Sequence, residues 1–204
     1  MGKKLVDYDL ILASASPRRT EILQQIGVRH LVQPANIDET PTPNESAVDY
    51  VRRMALEKAQ NIIAQSSASI PVLGADTCVV CDAQIFGKPQ DKQQALDMLL
   101  ALSGRTHQVY TAVAVGNAED CAVLVSTTEV LFRKLSVQEC ISYWETSEPK
   151  DKAGSYAIQG YGAVFVESIN GSYSGVVGLP IEQTAKLLDT FGVPIWSSAK
   201  IASQ

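Results

Sequence analysis

The 204-residue chain carries 17 lysines and arginines against 22 aspartates and glutamates, a formal net charge of −5. This length fits one domain, and we expect residues 1–204 to form a single domain. An acidic chain lacks the positive field that attracts nucleic acid, so we expect no nucleic-acid partner. No apolar run approaches the roughly 20 residues that span a bilayer, so we expect no membrane partner. Any phosphate site must therefore be a local concentration of arginine and lysine.

The first part of the chain predicts two strands and two helices. Residues 5–14 form an apolar stretch whose two aspartates favour a strand over a signal peptide. Ser16 and Pro17 begin a helix, because serine is a favoured N-cap and proline a favoured first helical residue. A second strand over 28–33 and, after a loop rich in proline, asparagine and threonine, a helix over 46–65 follow.

The next predicted strand, residues 71–82, contains a C-x-x-C pair, Cys78 and Cys81. A zinc site would need further cysteines or histidines at suitable spacing, and the pair lies in an apolar run, so buried free thiols are favoured over a zinc or redox motif. With no secretion signal, we expect a reducing, cytoplasmic compartment.

The rest of the chain mixes strands and helices without strict alternation, which predicts an α/β fold with a mixed sheet flanked by helices. The remaining predicted elements are a short strand at 83–88, a helix at 91–104 with a start resembling a capping box, strands at 107–115 and 122–134, a helix at 137–147 behind a Ser136–Glu139 capping box, a hairpin turn at Asn170-Gly171, and a last helix after Pro180.

Two hydroxyls and two arginines lie at the turn from the first strand into the first helix: Ser14, Ser16, Arg18 and Arg19. Arginines are electrostatically unfavourable in a first helical turn, where acidic residues are preferred. An anion between them would explain their presence, since arginine holds phosphate through paired, charge-assisted hydrogen bonds. An ordinary capped helix with surface arginines is the alternative.

Lys58 and Asp76 are charged residues in apolar surroundings. Lys58 falls on the apolar side of the helix over 46–65, where it must either meet an anion or extend its ammonium group to solvent. Asp76 follows a strand of valine and leucine and needs a partner, a metal or a proton. It could activate water or ligate Mg²⁺, or it could cap a local turn.

Three weaker candidates remain. Pro89 holds Lys88 in an extended conformation, which could aim a cation at phosphate or leave a solvated loop lysine. The pair Asp38-Glu39 fits a metal site or a polar turn. The two histidines, His30 and His107, form no readable catalytic cluster and are not assigned to catalysis.

Walker-type and Rossmann-type glycine motifs are absent from the sequence, which argues against kinase and dinucleotide-binding functions.

Taken together, these segments resemble the Maf family of nucleotide pyrophosphatases. They occur in the family's order and span nearly the whole chain. The matching segments are LASASPRR at 12–19, IDET at 37–40, LEKAQ at 56–60, GADT at 74–77, GKP at 87–89, SGRTHQVYTAV at 103–113, EPKDKAGSYAIQGYG at 148–162 and NGSYSGVVGLP at 170–180.

The resemblance implies a Maf- or ITPase-like α/β fold with two lobes around a central cleft, and hydrolysis between the α and β phosphates with a divalent cation, Mg²⁺ or Mn²⁺. It is also compatible with a homodimer. By motif, Asp76 would accept a proton from water, and Glu39 would be a metal-binding or catalytic carboxylate. Asp76 and Glu39 are thus the expected metal ligands. The expected phosphate-binding and charge-stabilising residues are Ser14, Arg19, Lys58 and Lys88.

Substrate choice within this family is associated with three positions, occupied here by Arg18, Thr77 and Gln159. This combination resembles the subgroup that acts on dTTP and UTP, whereas the 7-methyl-GTP subgroup typically has Trp, Gln and Glu there. A glutamine side chain both donates and accepts, as pairing with a pyrimidine edge requires. The alternatives are a 7-methyl-GTP pyrophosphatase and a nucleotide-binding regulator of septum formation.

Overall fold

The computed structural model describes residues 8–66 and 70–197, which contain seven strands and six α-helices. The strands are β1 Leu10–Leu12, β2 His30–Val32, β3 Val72–Cys81, β4 Gln84–Phe86, β5 Thr106–Gly116, β6 Cys121–Phe132 and β7 Val166–Asn170. The helices are α1 Pro17–Gln25, α2 Ala47–Gln65, α3 Lys92–Leu102, α4 Val137–Glu145, α5 Tyr173–Val177 and α6 Ile181–Thr190. Within the described residues, no helix is both long enough and apolar enough to cross a bilayer.

The strands form one mixed sheet in the order β2-β1-β3-β5-β6-β7, with β4 paired to β3. Strand β1 runs parallel to β2 and β3, whereas β4 and β7 run antiparallel to β3 and β6. The predicted α/β fold with a mixed sheet and helices is therefore confirmed.

The chain divides into two compact units, in agreement with the two predicted lobes. Among the described residues, the first contains those up to Asp76, Ala112–Val125 and those from Ile181 on; the second contains Thr77–Thr111 and Ser126–Pro180. That residues 1–204 form a single domain stays a prediction.

Helix α2 lies directly on strand β3 at Gly74. A Cβ atom added to Gly74 would lie 2.2 Å from the carbonyl oxygen of Ala55 and 2.7 Å from the amide nitrogen of Ala59. Any side chain at this position would therefore push the helix away from the sheet. Because side chains two residues apart share a face of a strand, this contact places Asp76 opposite the turn of α2 that carries Lys58.

Several elements begin and end where the sequence predicts. Ser136 and Glu139 form both hydrogen bonds of the capping box of α4. Gly27 and Gly104 follow α1 and α3 with φ angles of +72° and +67°. The capping box predicted for α3 is only half formed: Asp91 accepts from the amide of Gln94, but the Gln94 side chain accepts from the amide of Gln90.

Two predictions of local structure are wrong. Strand β1 is shorter than the predicted 5–14, since it pairs only over Leu10–Leu12; residues 5–7 lie outside the described residues. Asn170-Gly171 does not form a hairpin turn. The chain leaves β7 at Gly171, whose added Cβ would lie 2.8 Å from the Thr128 hydroxyl oxygen, and then enters α5, whose N-cap is Ser172.

The four cysteines, all within the described residues, form no disulfide, and Cys78 and Cys81 are buried in β3, as predicted.

His107 is a buried residue of the second unit, 1% exposed. Its Nε2 lies 2.8 Å from the Tyr156 hydroxyl, and its ring packs edge-on against Phe132. Burial lowers the pKa of His107 to about 4. These contacts fit the expectation that His107 is structural.

We therefore expect His107 to make stability depend on pH. The unfolded chain, with an ordinary histidine pKa near 6.5, binds more protons than the folded chain between about pH 6.5 and pH 4. The free energy of unfolding should thus fall by up to about 3 kcal/mol as the pH decreases through this window. Denaturant titrations at pH 7.5, 5.5 and 4.5 should show a smaller decrease for His107→Phe than for the wild type. Equal decreases would contradict this assignment.

Candidate active site

Lys58, Asp76 and Glu39 form an ion-paired cluster in the first unit. The Lys58 Nζ lies 2.7 Å from Asp76 Oδ1 and 2.9 Å from Glu39 Oε1. The side chains of Lys58 and Asp76 are 9% and 10% exposed, whereas that of Glu39 is 47% exposed. Lys58 therefore meets anions instead of extending to solvent, and Asp76 lies within β3 instead of capping a turn. The cluster is buried on one side and open to solvent at Glu39.

The loop that carries Glu39 is fastened to α2. The Tyr50 hydroxyl donates to the Glu39 carbonyl oxygen at 3.0 Å, and Arg53 Nη2 donates to the Thr40 carbonyl oxygen at 3.2 Å. Arg53 also pairs with Glu45, whose pKa hydrogen bonding lowers to about 2. Asp38 accepts from the amide and hydroxyl of Thr40. Asp38 thus forms the polar turn, while Glu39 is directed to Lys58.

The turn from β1 into α1 brings Arg19 to the same cluster. Arg19 Nη1 donates to Ser14 Oγ at 2.9 Å, and the amide of Ser16 donates to the same oxygen at 3.2 Å. Burial lowers the pKa of Arg19, while the charges of Asp76 and Glu39 act in the opposite direction. Because Ser14 Oγ accepts twice, its own proton can be donated to a further acceptor.

Arg18 is the partly exposed neighbour of Arg19, and its charge contributes to lowering the pKa of Arg19. Ser16 is the N-cap of α1, but its side chain makes no capping hydrogen bond. The first turn of α1 also contains no acidic residue. The positive end of this helix is therefore reinforced by two guanidinium groups, an arrangement that favours an anionic ligand.

Three predicted residues, Thr77, Lys88 and Gln159, belong to the second unit. Thr111 Oγ1 donates to the Gly175 carbonyl oxygen at 2.7 Å and lies 3.0 Å from Thr77 Oγ1. Since a hydroxyl has one proton, Thr77 donates to Thr111, and its oxygen can only accept from a further group. Lys88 and Gln159 are both exposed.

Sequence reasoning missed the residues that orient the candidates. Thr111 orients the Thr77 hydroxyl, and Tyr50 and Arg53 hold the loop of Glu39. Their only sequence signal is proximity: Thr111 lies in the segment SGRTHQVYTAV, and Tyr50 and Arg53 lie about two turns and about one turn, respectively, before Lys58 on α2. Neither the residue type nor the position in the sequence distinguishes any of the three from a residue with a structural role.

The donor set suits a hard divalent cation. The carboxylates of Glu39 and Asp76 lie close together, because one oxygen of each contacts the Lys58 ammonium, at 2.9 and 2.7 Å, so both can contribute to one cation site. Mg²⁺ prefers oxygen ligands and usually takes only one or two carboxylates, with water and substrate phosphates completing its shell. The described residues contain no group of three or more His, Cys, Asp or Glu placed to hold a metal, so a bound ion would need such additional ligands.

Comparison with known proteins identifies the family. The family model described as Maf-like protein matches residues 9–191. The chain belongs to the Maf-like family. This Maf-like protein is 54% identical over 190 residues to the dTTP/UTP pyrophosphatase of Alcanivorax borkumensis, covering 92% of this chain and 97% of the relative. It is 49% identical over 193 residues to the dTTP/UTP pyrophosphatase of Saccharophagus degradans, covering 93% and 92%.

Among solved structures, the Maf-like protein matches a nucleoside-triphosphatase, dITP/XTP pyrophosphatase, from Mycobacterium abscessus. The two chains are 12% identical with a TM-score of 0.45, and the match covers 96% of this chain and 99% of the other.

Proposed function

We propose that this Maf-like protein hydrolyses dTTP and UTP to the nucleoside monophosphate and pyrophosphate. Two relatives that are 49% and 54% identical in sequence are named dTTP/UTP pyrophosphatase. The observation that carries the proposal is the cluster of Lys58 between Asp76 and Glu39, with Arg19 and Ser14 beside it. This cluster combines carboxylates that can accept a proton or bind a metal with cations that can hold phosphate.

In this proposal, Asp76 is the general base. Its Oδ1 is bonded to Lys58, so we assign its second carboxylate oxygen to the proton of the attacking water. Lys58 holds both carboxylates in place and opposes the negative charge that develops on phosphate oxygens. A position on a rigid strand, buried under α2, keeps Asp76 in one orientation.

Ser14 and Arg19 would bind the triphosphate at the N-terminus of α1. The hydroxyl of Ser14 donates to a phosphate oxygen, and the guanidinium of Arg19 neutralises its charge. Glu39 and Asp76 would hold a Mg²⁺ or Mn²⁺ ion, which supplies further neutralisation of the phosphates when bound. We assign Lys88 to the same charge-stabilising role, as the family resemblance implies.

Arg18, Thr77 and Gln159 are proposed to select the base. A uracil or thymine ring presents an N–H donor flanked by carbonyl acceptors, and the Gln159 amide supplies the matching acceptor and donor. The cytoplasm as the site of action and a homodimer as the assembled form remain part of the proposal.

The test is a panel of nucleoside triphosphates with Mg²⁺ and with Mn²⁺, scored by kcat/KM for pyrophosphate release. We expect UTP and dTTP to exceed CTP and 7-methyl-GTP by at least about tenfold, since a mismatched polar edge leaves hydrogen-bonding groups unpaired. Preference for 7-methyl-GTP would overturn the base assignment. Nucleotide binding measured by calorimetry without turnover would overturn the enzymatic function.

A further inference from the structure

The segment around Gln159 is held on both sides by one partly buried hydrogen-bond network. Before Gln159, the amide of Ala157 donates to the Tyr143 hydroxyl at 3.0 Å. After it, the amides of Tyr161 and Gly162 each donate to the Glu148 carboxylate at 2.9 Å. The Tyr143 hydroxyl donates to the same carboxylate at 2.7 Å. One side chain, Glu148, thus organises both flanks of an exposed glutamine.

Two glycines show how closely the segment wraps around this network. A Cβ on Gly160 would lie 2.2 Å from Glu148 Oε2, and a Cβ on Gly162 would lie 2.6 Å from the Tyr143 hydroxyl oxygen. Gly160 also has a φ of +157°, a backbone conformation that residues with side chains rarely adopt. The segment Gln159–Gly162 is therefore built to enclose a carboxylate and a phenol.

The chemistry of the network holds the carboxylate ionised. Burial would raise the pKa of Glu148, but hydrogen bonds from the Gly162 amide, the Tyr143 hydroxyl and the Tyr161 amide, together with the charge of Lys152, lower it overall. Glu148 is itself positioned by its amide, which donates to the Thr146 hydroxyl at 3.2 Å. Tyr143 is 5% exposed and packs edge-on against Phe165.

We infer that Glu148 is a positioning residue for base selection: through Tyr143 and the backbone of Ala157–Gly162, it fixes where the Gln159 amide is presented to the nucleobase. This inference rests on the proposed function. An exposed side chain on an untethered glycine-rich segment would sample many positions, and ordering it would reduce binding. The network removes that motion before the nucleotide arrives.

Glu148→Gln tests the inference, because the amide group replaces one acceptor oxygen with a donor that faces the amide donors of the segment. We expect KM for UTP to rise roughly 10- to 100-fold, with kcat within about threefold of wild type. Glu145→Gln is the matched control: this side chain is 67% exposed and lies 4.0 Å from Lys92. Its KM and kcat should be unchanged.

A double-mutant cycle with Gln159→Ala separates positioning from a purely structural role. If Glu148 acts through Gln159, then Glu148→Gln should add less than about twofold to the KM of Gln159→Ala. The inference would be overturned if the KM changes of the two single substitutions multiply in the double variant, or if kcat falls as much as KM rises. Tyr143→Phe, which removes a single hydroxyl, keeps the test valid should Glu148→Gln fold poorly; it should raise KM in the same direction.

The proposed function and the positioning role of Glu148 are contradicted by different results. Absence of UTP turnover in the wild type would overturn the proposed function. Wild-type turnover of UTP with an unchanged KM in both Glu148→Gln and Tyr143→Phe would overturn the positioning role alone.

Discussion

Asp76→Asn should lower kcat for UTP by about 10²- to 10⁴-fold, the usual contribution of a general base. An amide cannot accept the proton of the attacking water, although its oxygen can still accept a hydrogen bond from Lys58 at the position of Oδ1. The fold should persist, because Asn has nearly the shape of Asp and the strand remains covered by α2. Phosphate release from UTP by purified variant and wild type, coupled to an excess of inorganic pyrophosphatase, provides the measurement.

Asp82→Asn is the matched control for this change. Asp82 lies in the turn after β3, is 73% exposed and pairs with Arg105 at the surface. Exposed pairs of this kind contribute little, so both stability and kcat should stay close to wild type. Full turnover by Asp76→Asn would show that Asp76 is not the base.

Lys58→Met should lower both turnover and stability. Without the ammonium group, the carboxylates of Asp76 and Glu39 face each other unneutralised, and Asp76 is left as a buried charge without its cation. Removing one partner of a buried pair typically costs about 3–5 kcal/mol; the solvent exposure of Glu39 places our expectation near the lower limit. We also expect kcat/KM for UTP to fall by at least about 100-fold, since Lys58 is assigned to the transition-state charge.

Lys186→Met provides the control, because Lys186 is 67% exposed and pairs with Glu182 on the surface of α6. Thermal unfolding of both variants should be recorded with and without Mg²⁺. Because the ion would replace the missing positive charge between Glu39 and Asp76, Mg²⁺ should raise the Tm of Lys58→Met more than that of the wild type. A Lys58→Met variant with wild-type stability and kcat/KM would remove Lys58 from the site.

Features set by local chemistry could be predicted from the sequence. The capping box at Ser136, the start of α1 at Pro17 and the end of α3 before Gly104 depend on hydrogen bonds and φ angles within a few residues. The predicted hairpin at Asn170-Gly171 was wrong because tertiary contacts, and not the local sequence, decide the backbone there. Its glycine serves a tertiary contact with Thr128, and Ser172 begins a helix directly after it.

The candidate site could be predicted only in parts. Lys58 and Asp76 were each recognisable as charges in apolar surroundings, but neither pattern indicates that they pair. Their contact depends on how closely α2 lies on β3, which is set by the missing side chain at Gly74. Glu39 reaches the same lysine through a loop held by Tyr50 and Arg53. Such convergence is a property of packing and not of spacing along the chain.

Phosphorus NMR of UTP hydrolysis by the wild-type protein in Mg²⁺ tests the central claim most directly. Hydrolysis of the anhydride bond between the α and β phosphates, as proposed for water activated by Asp76, yields UMP and pyrophosphate in equal amounts. UDP and inorganic phosphate as the products would contradict the account.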